Sequence, residues 1–380
     1  MKKILLIVIV MCTICNTSNA RNGHSHNGHI HSKGYAAMDS EGKMIPYTFE
    51  RKPVGENDVL IEILYCGICH SDIHYVFNHW ERSVYPCLPG HEIISKITRT
   101  GNNVTKFKVG DNVGVGCMVN ACGECDMCKA GQEQYCQNGK TVYTYNSADW
   151  EDEGKNTLGG YSDNIAVNED FVIRIPDNAP LEKIAPVLCA GITTYSPLKA
   201  AGVKSGDKVA IAGFGGLGHM AVQYAISFGA EVVVFDRTED KREPASRLGA
   251  VKYVNINNAE DIASIPNNYF DIILCTIGSH YDLSLYLNKL KIGGDLAIVG
   301  IPANWDAPTI NINTLPYNKK VWRSLIGGIP ETQEVIDYSV EHNIYPMVEV
   351  IAVDKVNEAF KNMMDGEVHF RYVMDMKTLK

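Results

Sequence analysis

The chain has 380 residues, 45% of them hydrophobic and 21% charged. That composition is globular, and the length suits two domains, each able to bury its own core. With 44 acidic against 35 basic residues and a net charge of −9, nucleic acid or an anionic membrane surface is excluded as the main expected partner.

The first element is an address. Lys2 and Lys3 precede an uncharged apolar run from Ile4 to Cys15, and Ser18-Asn19-Ala20 follows it. The run is too short for a membrane span, which needs about 20 residues. It has the pattern of a secretory signal over residues 1–20, cleaved after Ala20. An exported protein, periplasmic or secreted, is expected from it, with a cytoplasmic one as the alternative. Residues 21–33 form a His-rich tail carrying His24, His26, His29 and His31, read either as a loose metal-binding tract or as a solvated linker.

Residues 34–175 are rich in Gly, turn residues and short alternating runs such as Val59-Leu60-Ile61-Glu62-Ile63-Leu64, which predicts a mainly β domain. The texture changes over residues 176–325. Lys208-Val209-Ala210-Ile211-Ala212 predicts a buried strand, Leu217 to Phe228 an apolar-periodic helix closed by Gly229, and Glu231 to Phe235 a second strand. Further strands are expected at Asp271–Leu274 and Leu296–Val299. Alternation of strand and helix at this pitch implies right-handed crossovers and a doubly wound parallel sheet covered on both faces. Residues 326–380 are expected to return to the first domain.

Four of the twelve cysteines stand at Cys122, Cys125, Cys128 and Cys136 in CGECDMCKAGQEQYC. That spacing puts four thiolates within reach of one tetrahedral ion, and the absence of histidine indicates a closed structural zinc site. Disulfides are the competing reading for an exported chain. A second set is dispersed: Cys69 in YCGICHSDIH, His91 beside Glu92 in PGHE, and Cys189 in LCAGITTYSP. Two thiolates and one imidazole make a three-ligand zinc site with a fourth position open to water or an alcohol oxygen.

GFGGLG, residues 213–218, follows a predicted strand and opens a predicted helix, with Asp236 18 residues beyond its last glycine. Gly213 permits the tight turn, Gly215 lets the backbone approach a pyrophosphate, and Gly218 lets helix and strand pack closely. Gly216 and Leu217 complete the turn, and the phosphates would sit on the helix N-terminus.

Together these motifs resemble the zinc-dependent medium-chain alcohol dehydrogenases, in the cinnamyl alcohol dehydrogenase-like branch. The match runs from GYAAMDSEGKMIPY through CGICHSDIH, YPCLPGHE, VGDNVGVGC, the four-cysteine lobe, LCAGITTYSP and AGFGGLGHMAVQYA to FRYVMD. The resemblance implies an α/β fold in which a GroES-like catalytic domain is split around a Rossmann domain, two zinc ions per chain, and reversible hydride transfer between a primary alcohol or aldehyde and NAD(P). It implies that Cys69, His91 and Cys189 hold the catalytic zinc, and that Glu92 is a carboxylate able to approach it. Ser71 would take the alcohol proton and His74 pass it on, with Asp72 fixing the His91 tautomer. His70 and Arg371 would contact the pyrophosphate, Thr193 would pack beside the nicotinamide, and Trp80 would line the substrate pocket. A homodimer is expected, GGDLAIVGIP resembling the family's edge-strand pairing.

One departure concerns the cofactor. Relatives of this branch usually carry small hydroxyl residues where this chain has Phe235-Asp236-Arg237. An acid at that strand end holds ribose hydroxyls and repels a 2′-phosphate, which favours NAD(H). Arg237 and Lys241 can hold that phosphate and keep NADP(H) a close alternative. The rival reading from another class is a non-catalytic zinc-binding envelope protein on a dehydrogenase scaffold, with the histidine tail as its collector.

Overall fold

In the computed structural model the described residues are 28–306, 308, 317–366 and 370–380. The apolar leader and most of the His-rich tail lie outside them. No helix among the described residues is long and apolar enough to cross a membrane.

The described chain opens on a hairpin in which Ile30–Ala37 pairs antiparallel with Met44–Arg51. The ladder continues through His31↔Glu50 to Ile30↔Arg51. The end of the histidine tract is strand: His31 pairs with Glu50 at 3.5 Å, and His29 Nδ1 donates to the Arg51 carbonyl at 3.1 Å.

A seven-stranded sheet forms the body of this domain. Its path runs Ile173–Arg174, Asn112–Val115, Ile93–Thr100, Asp58–Gly67, Arg371–Asp375, Val348–Ala352, and Asn164–Asn168 also pairs with Asp58–Gly67. The last two strands of the path come from the C-terminal end of the chain, and Arg371–Asp375 is hydrogen-bonded directly to Asp58–Gly67. The C-terminal segment thus closes the N-terminal domain and carries Arg371 to its centre.

Between them stands a six-stranded sheet, in the order Lys252–Asn255, Glu231–Asp236, Lys208–Ala212, Phe270–Cys275, Leu290–Ile298, Lys320–Arg323, with every pair parallel. The near-continuous apolar strands VAIA and VVVF are buried on both faces, as a helix-covered parallel sheet requires. GGDLAIVGIP does not supply the sheet edge. Its strand is bonded on both sides, to Phe270–Cys275 and to Lys320–Arg323, so among the described residues the edge on that side is Lys320–Arg323, where Val321 is 38% exposed.

Candidate active site

Cys69 stands two residues past the strand Asp58–Gly67 and caps the helix His70–Val76 in extended conformation. The carboxylate of Asp72, fully buried, organises what surrounds it. Its Oδ2 accepts from the Cys69 backbone N–H at 2.8 Å and from the Tyr161 hydroxyl at 3.0 Å. Its Oδ1 lies 3.2 Å from His91 Nδ1, which leaves Nε2 of His91 free to bind a metal. Cys189 arrives from the far side of the chain, at the start of the helix Ala190–Ala200.

The ligand atoms of Cys69, His91, Glu92 and Cys189 lie within 4.8 Å of one another, all buried. The sulfurs of Cys69 and Cys189 are 4.0 Å apart. Two thiolates on one tetrahedral zinc, with bonds of about 2.3 Å, sit about 3.8 Å apart, so the donor set and its spacing fit the ion. The facing Cys189 thiol, with help from His91 and Arg371, holds the Cys69 thiol well below its ordinary value despite burial.

Glu92 is tied to Arg371, whose Nη2 donates to Oε1 in a fully buried pair. Burial pushes the Glu92 carboxyl up to about 7 against the pull of that guanidinium. Two glycines make room for the pair. A Cβ at Gly67 would stand 1.9 Å from Glu92 Oε2, and one at Gly216 would stand 3.0 Å from Arg371 Nη1. Arg371 therefore reaches from the metal group to the glycine-rich turn. Its Nε and Glu92 Oε2 have no hydrogen-bond partner among the described residues, so the cradle holds donor and acceptor capacity for a polar ligand.

That turn lies between the strand Lys208–Ala212 and the helix Gly218–Ser227. Gly213 has φ +89°, and a Cβ at Gly218 would stand 2.0 Å from the Gly213 carbonyl; neither tolerates a side chain. Nothing stands within 4 Å of where a Gly215 Cβ would lie, so the backbone there is open to a phosphate. Leu217 is the N-cap of the helix. Asp236 ends the neighbouring strand and accepts from the N–H groups of Phe214 and Arg237. Lys241 Nζ stands 3.5 Å from its Oδ2, whereas the Arg237 side chain is exposed. These features fit a dinucleotide: glycine backbone, a helix start, a guanidinium and a strand-end acid.

The predicted relay residues lie on one short helix, Ser71 in its first turn and His74 in its last. His70 is 6.4 Å from His74, ring to ring. Thr193 is buried one turn beyond Cys189, to whose carbonyl its N–H donates at 2.9 Å. Trp80 stacks on His74 at 4.8 Å and donates its indole N–H to the Pro302 carbonyl at 3.0 Å, joining the two domains across the cleft. Sequence reasoning missed His79, whose Nδ1 lies 3.1 Å from His74 Nδ1, and Tyr161 beneath Asp72. The density of histidines in CHSDIHYVFNHW was the one available signal for the first; nothing marked the second.

The four-cysteine lobe is separate. Cys122 and Cys128 sulfurs are 3.7 Å apart, Cys125 and Cys136 4.0 Å, and the four fall in one group able to hold a metal. Asn138 donates to the Cys122 sulfur at 3.4 Å. The Cys128 backbone N–H, with others, pulls the Cys125 thiol down to about 6. Four sulfurs at tetrahedral separations with no open position fit a structural zinc.

Two family models match the chain: the alcohol dehydrogenase GroES-like domain over residues 55–177 and the zinc-binding dehydrogenase over residues 216–341. The NADP-dependent alcohol dehydrogenase C 1 of Mycolicibacterium smegmatis is 45% identical over 347 residues, covering 91% of this chain and 98% of that protein. The aldehyde reductase YahK of Escherichia coli is 43% identical over 348 residues, 91% and 99%. The crystal structure of the cinnamyl alcohol dehydrogenase of Helicobacter pylori complexed with NADP(H) superposes with a TM-score of 0.87 at 48% identity, covering 92% of this chain and 99% of that one. The non-catalytic reading falls with these matches: the chain is an NAD(P)-dependent alcohol dehydrogenase and aldehyde reductase. Fold, donor sets and relatives agree, and the protein belongs to the zinc-dependent medium-chain alcohol dehydrogenases, in the cinnamyl alcohol dehydrogenase-like branch.

Proposed function

We propose that turnover takes place at Cys69, His91 and Cys189, with a primary alcohol or aldehyde held between that group and Trp80. The observation that carries this is the meeting of three ligand residues from separate parts of the chain in one buried group, joined through Glu92 and Arg371 to the glycine-rich turn. When bound, zinc supplies Lewis acidity and the nicotinamide accepts or gives the hydride.

The residues of the chain do the rest. Asp72 holds His91 in the Nδ1–H tautomer. Cys69 and Cys189 supply the thiolates. Glu92, paired with Arg371, lies in the same buried donor group and would offer a carboxylate oxygen to a bound metal. Ser71 takes the proton of the alcohol. His74 passes it on, because burial and the neighbouring His70 and His79 lower its pKa to about 4 and keep the ring neutral, with one ring nitrogen a donor and the other an acceptor. Gly213, Gly215, Gly216, Leu217 and Gly218 receive the pyrophosphate, with His70 and Arg371 flanking it, and Thr193 backs the nicotinamide.

For the cofactor, Asp236 favours NAD(H), while Lys241 at 3.5 Å offsets its charge and, with Arg237, keeps NADP(H) usable. The test is the specificity constant for a panel of aliphatic and aromatic aldehydes with NADH and with NADPH. A clear NADPH preference overturns the reading of Asp236, and no turnover of any aldehyde overturns the substrate class. Export rests on residues 1–20 alone; uncleaved protein confined to the cytosol would overturn it. A homodimer through the edge strand Lys320–Arg323 is supported by its exposed Val321 and by Ile292 nearby in the fold, 69% exposed; a monomer by light scattering would overturn it.

A further inference from the structure

One pair of side chains beside the active site is not accounted for by the two cysteine groups. His74 and His79 face each other Nδ1 to Nδ1 at 3.1 Å. Two imidazole nitrogens on one tetrahedral zinc, with bonds of about 2.0–2.1 Å, sit about 3.3–3.4 Å apart, within a few tenths of what the fold already holds. The rings are fixed from several sides. His74 stacks on Trp80 at 4.8 Å, and His79 stacks on Phe77 at 5.7 Å and meets the edge of Trp305 at 5.1 Å. The His79 backbone is pinned as well, its N–H to the His74 carbonyl at 2.8 Å and its carbonyl to the Asn304 N–H at 3.2 Å. An ion arriving there finds both ligands in place, with little side-chain entropy left to lose.

We propose that His74 and His79 form a third, weaker zinc site, distinct from the two cysteine groups, and that an ion bound there stops turnover. Imidazole nitrogens suit zinc, copper and nickel, and water completes the coordination shell. In the metal-free pair one Nδ1 carries the proton and donates it to the other. On binding, that ring moves its proton to Nε2, both Nδ1 lone pairs go to the metal, and no net proton is lost. Burial lowers the pKa of both imidazoles, which keeps them in the neutral form that binds metal. His79 is half-buried and gives the ion a way in.

Inhibition follows from the chemistry of a shuttle. An imidazole passes a proton by accepting on one nitrogen and releasing from the other. With Nδ1 on a metal and Nε2 protonated, His74 has no lone pair with which to accept. This part rests on the relay role given to His74 above; the binding part does not.

The test is a titration of the full chain, already loaded with two zinc ions, with zinc chloride against a colorimetric zinc chelator, in parallel with aldehyde turnover. His79→Phe keeps the ring between Phe77 and Trp305 and removes the nitrogens; His79→Gln serves if the first fails to fold. The histidine tail contributes equally to both proteins. The parent chain is expected to take up one equivalent more than the variant, and inhibition by excess zinc to shift at least tenfold in the variant. Equal uptake by parent and variant would overturn the site. An extra equivalent lost with His79 but without effect on turnover would uphold the site and overturn the relay role of His74.

Discussion

The two cysteine-rich groups fit the same ion by opposite routes. In the 122–136 lobe the four sulfurs lie within one short loop, three of the four cysteines are only half-buried, and metal binding would supply free energy that holds the loop together. At Cys69, His91 and Cys189 every ligand is buried, two of them stand 120 residues apart, and the surrounding fold makes the geometry. A local site borrows its structure from the ion, whereas a dispersed site lends structure to it. Metal loss should therefore unfold the first and silence the second.

The largest expected effect is on the lobe. Cys125→Ser should cost several kcal/mol of stability, on the order of what binding free energy supplies to small metal-held folds, and should open residues 122–136 to proteolysis. Native protease resistance in that variant would contradict the comparison. Next is the buried ion pair. Arg371→Met leaves the Glu92 carboxylate without its partner and should cost about 3–5 kcal/mol in chemical denaturation. Adding Glu92→Gln should recover much of that loss, and no recovery would show that the pair is not what Arg371 stabilises.

A smaller effect separates the cofactor domain from both metal groups. His219 is fully buried beneath the glycine-rich turn, its Nδ1–H donated to the Gly215 carbonyl at 3.0 Å, and burial pushes its pKa down to about 3. The unfolded chain binds this proton below about pH 6.5 and the folded chain does not. The stabilisation is thus complete above pH 6.5 and is lost as pH falls toward 3, on the order of a few kcal/mol in all. His219→Phe should flatten the fall of denaturation midpoint over that window; an unchanged slope would contradict it. Smallest is Asp236→Ser, expected to move the NADPH/NADH preference about tenfold toward NADPH, roughly 1.4 kcal/mol. An unchanged ratio would mean the acid does not read the ribose.

The same contrast explains what the sequence made legible. The lobe was readable from cysteine spacing, and the glycine-rich turn from its place between a strand and a helix, because both are local. The alternation over residues 176–325 marked the parallel sheet for the same reason. Cys69, His91 and Cys189 could be grouped by donor type, but no spacing rule joins residues so far apart, and their assignment as the catalytic ligands came through the resemblance. The Arg371–Glu92 pair spans 279 residues and depends on the C-terminal strand entering the first domain. Its two clearances, at Gly67 and Gly216, look like ordinary glycines in the sequence. Resemblance alone put GGDLAIVGIP at the edge; its apolar strand is bonded on both sides, as suits the interior of a sheet, and the more polar KVWR lies outside it.

The central claim is that Cys69, His91 and Cys189 hold the metal that turnover needs, on a fold that stands without it. It is tested most directly by Cys69→Ala, with zinc content, NAD(P)H binding by fluorescence and aldehyde reduction measured on the same preparation. The expected result is one zinc per chain instead of two, cofactor binding retained and turnover abolished. Full turnover in that variant, or two zinc ions still bound, would contradict it.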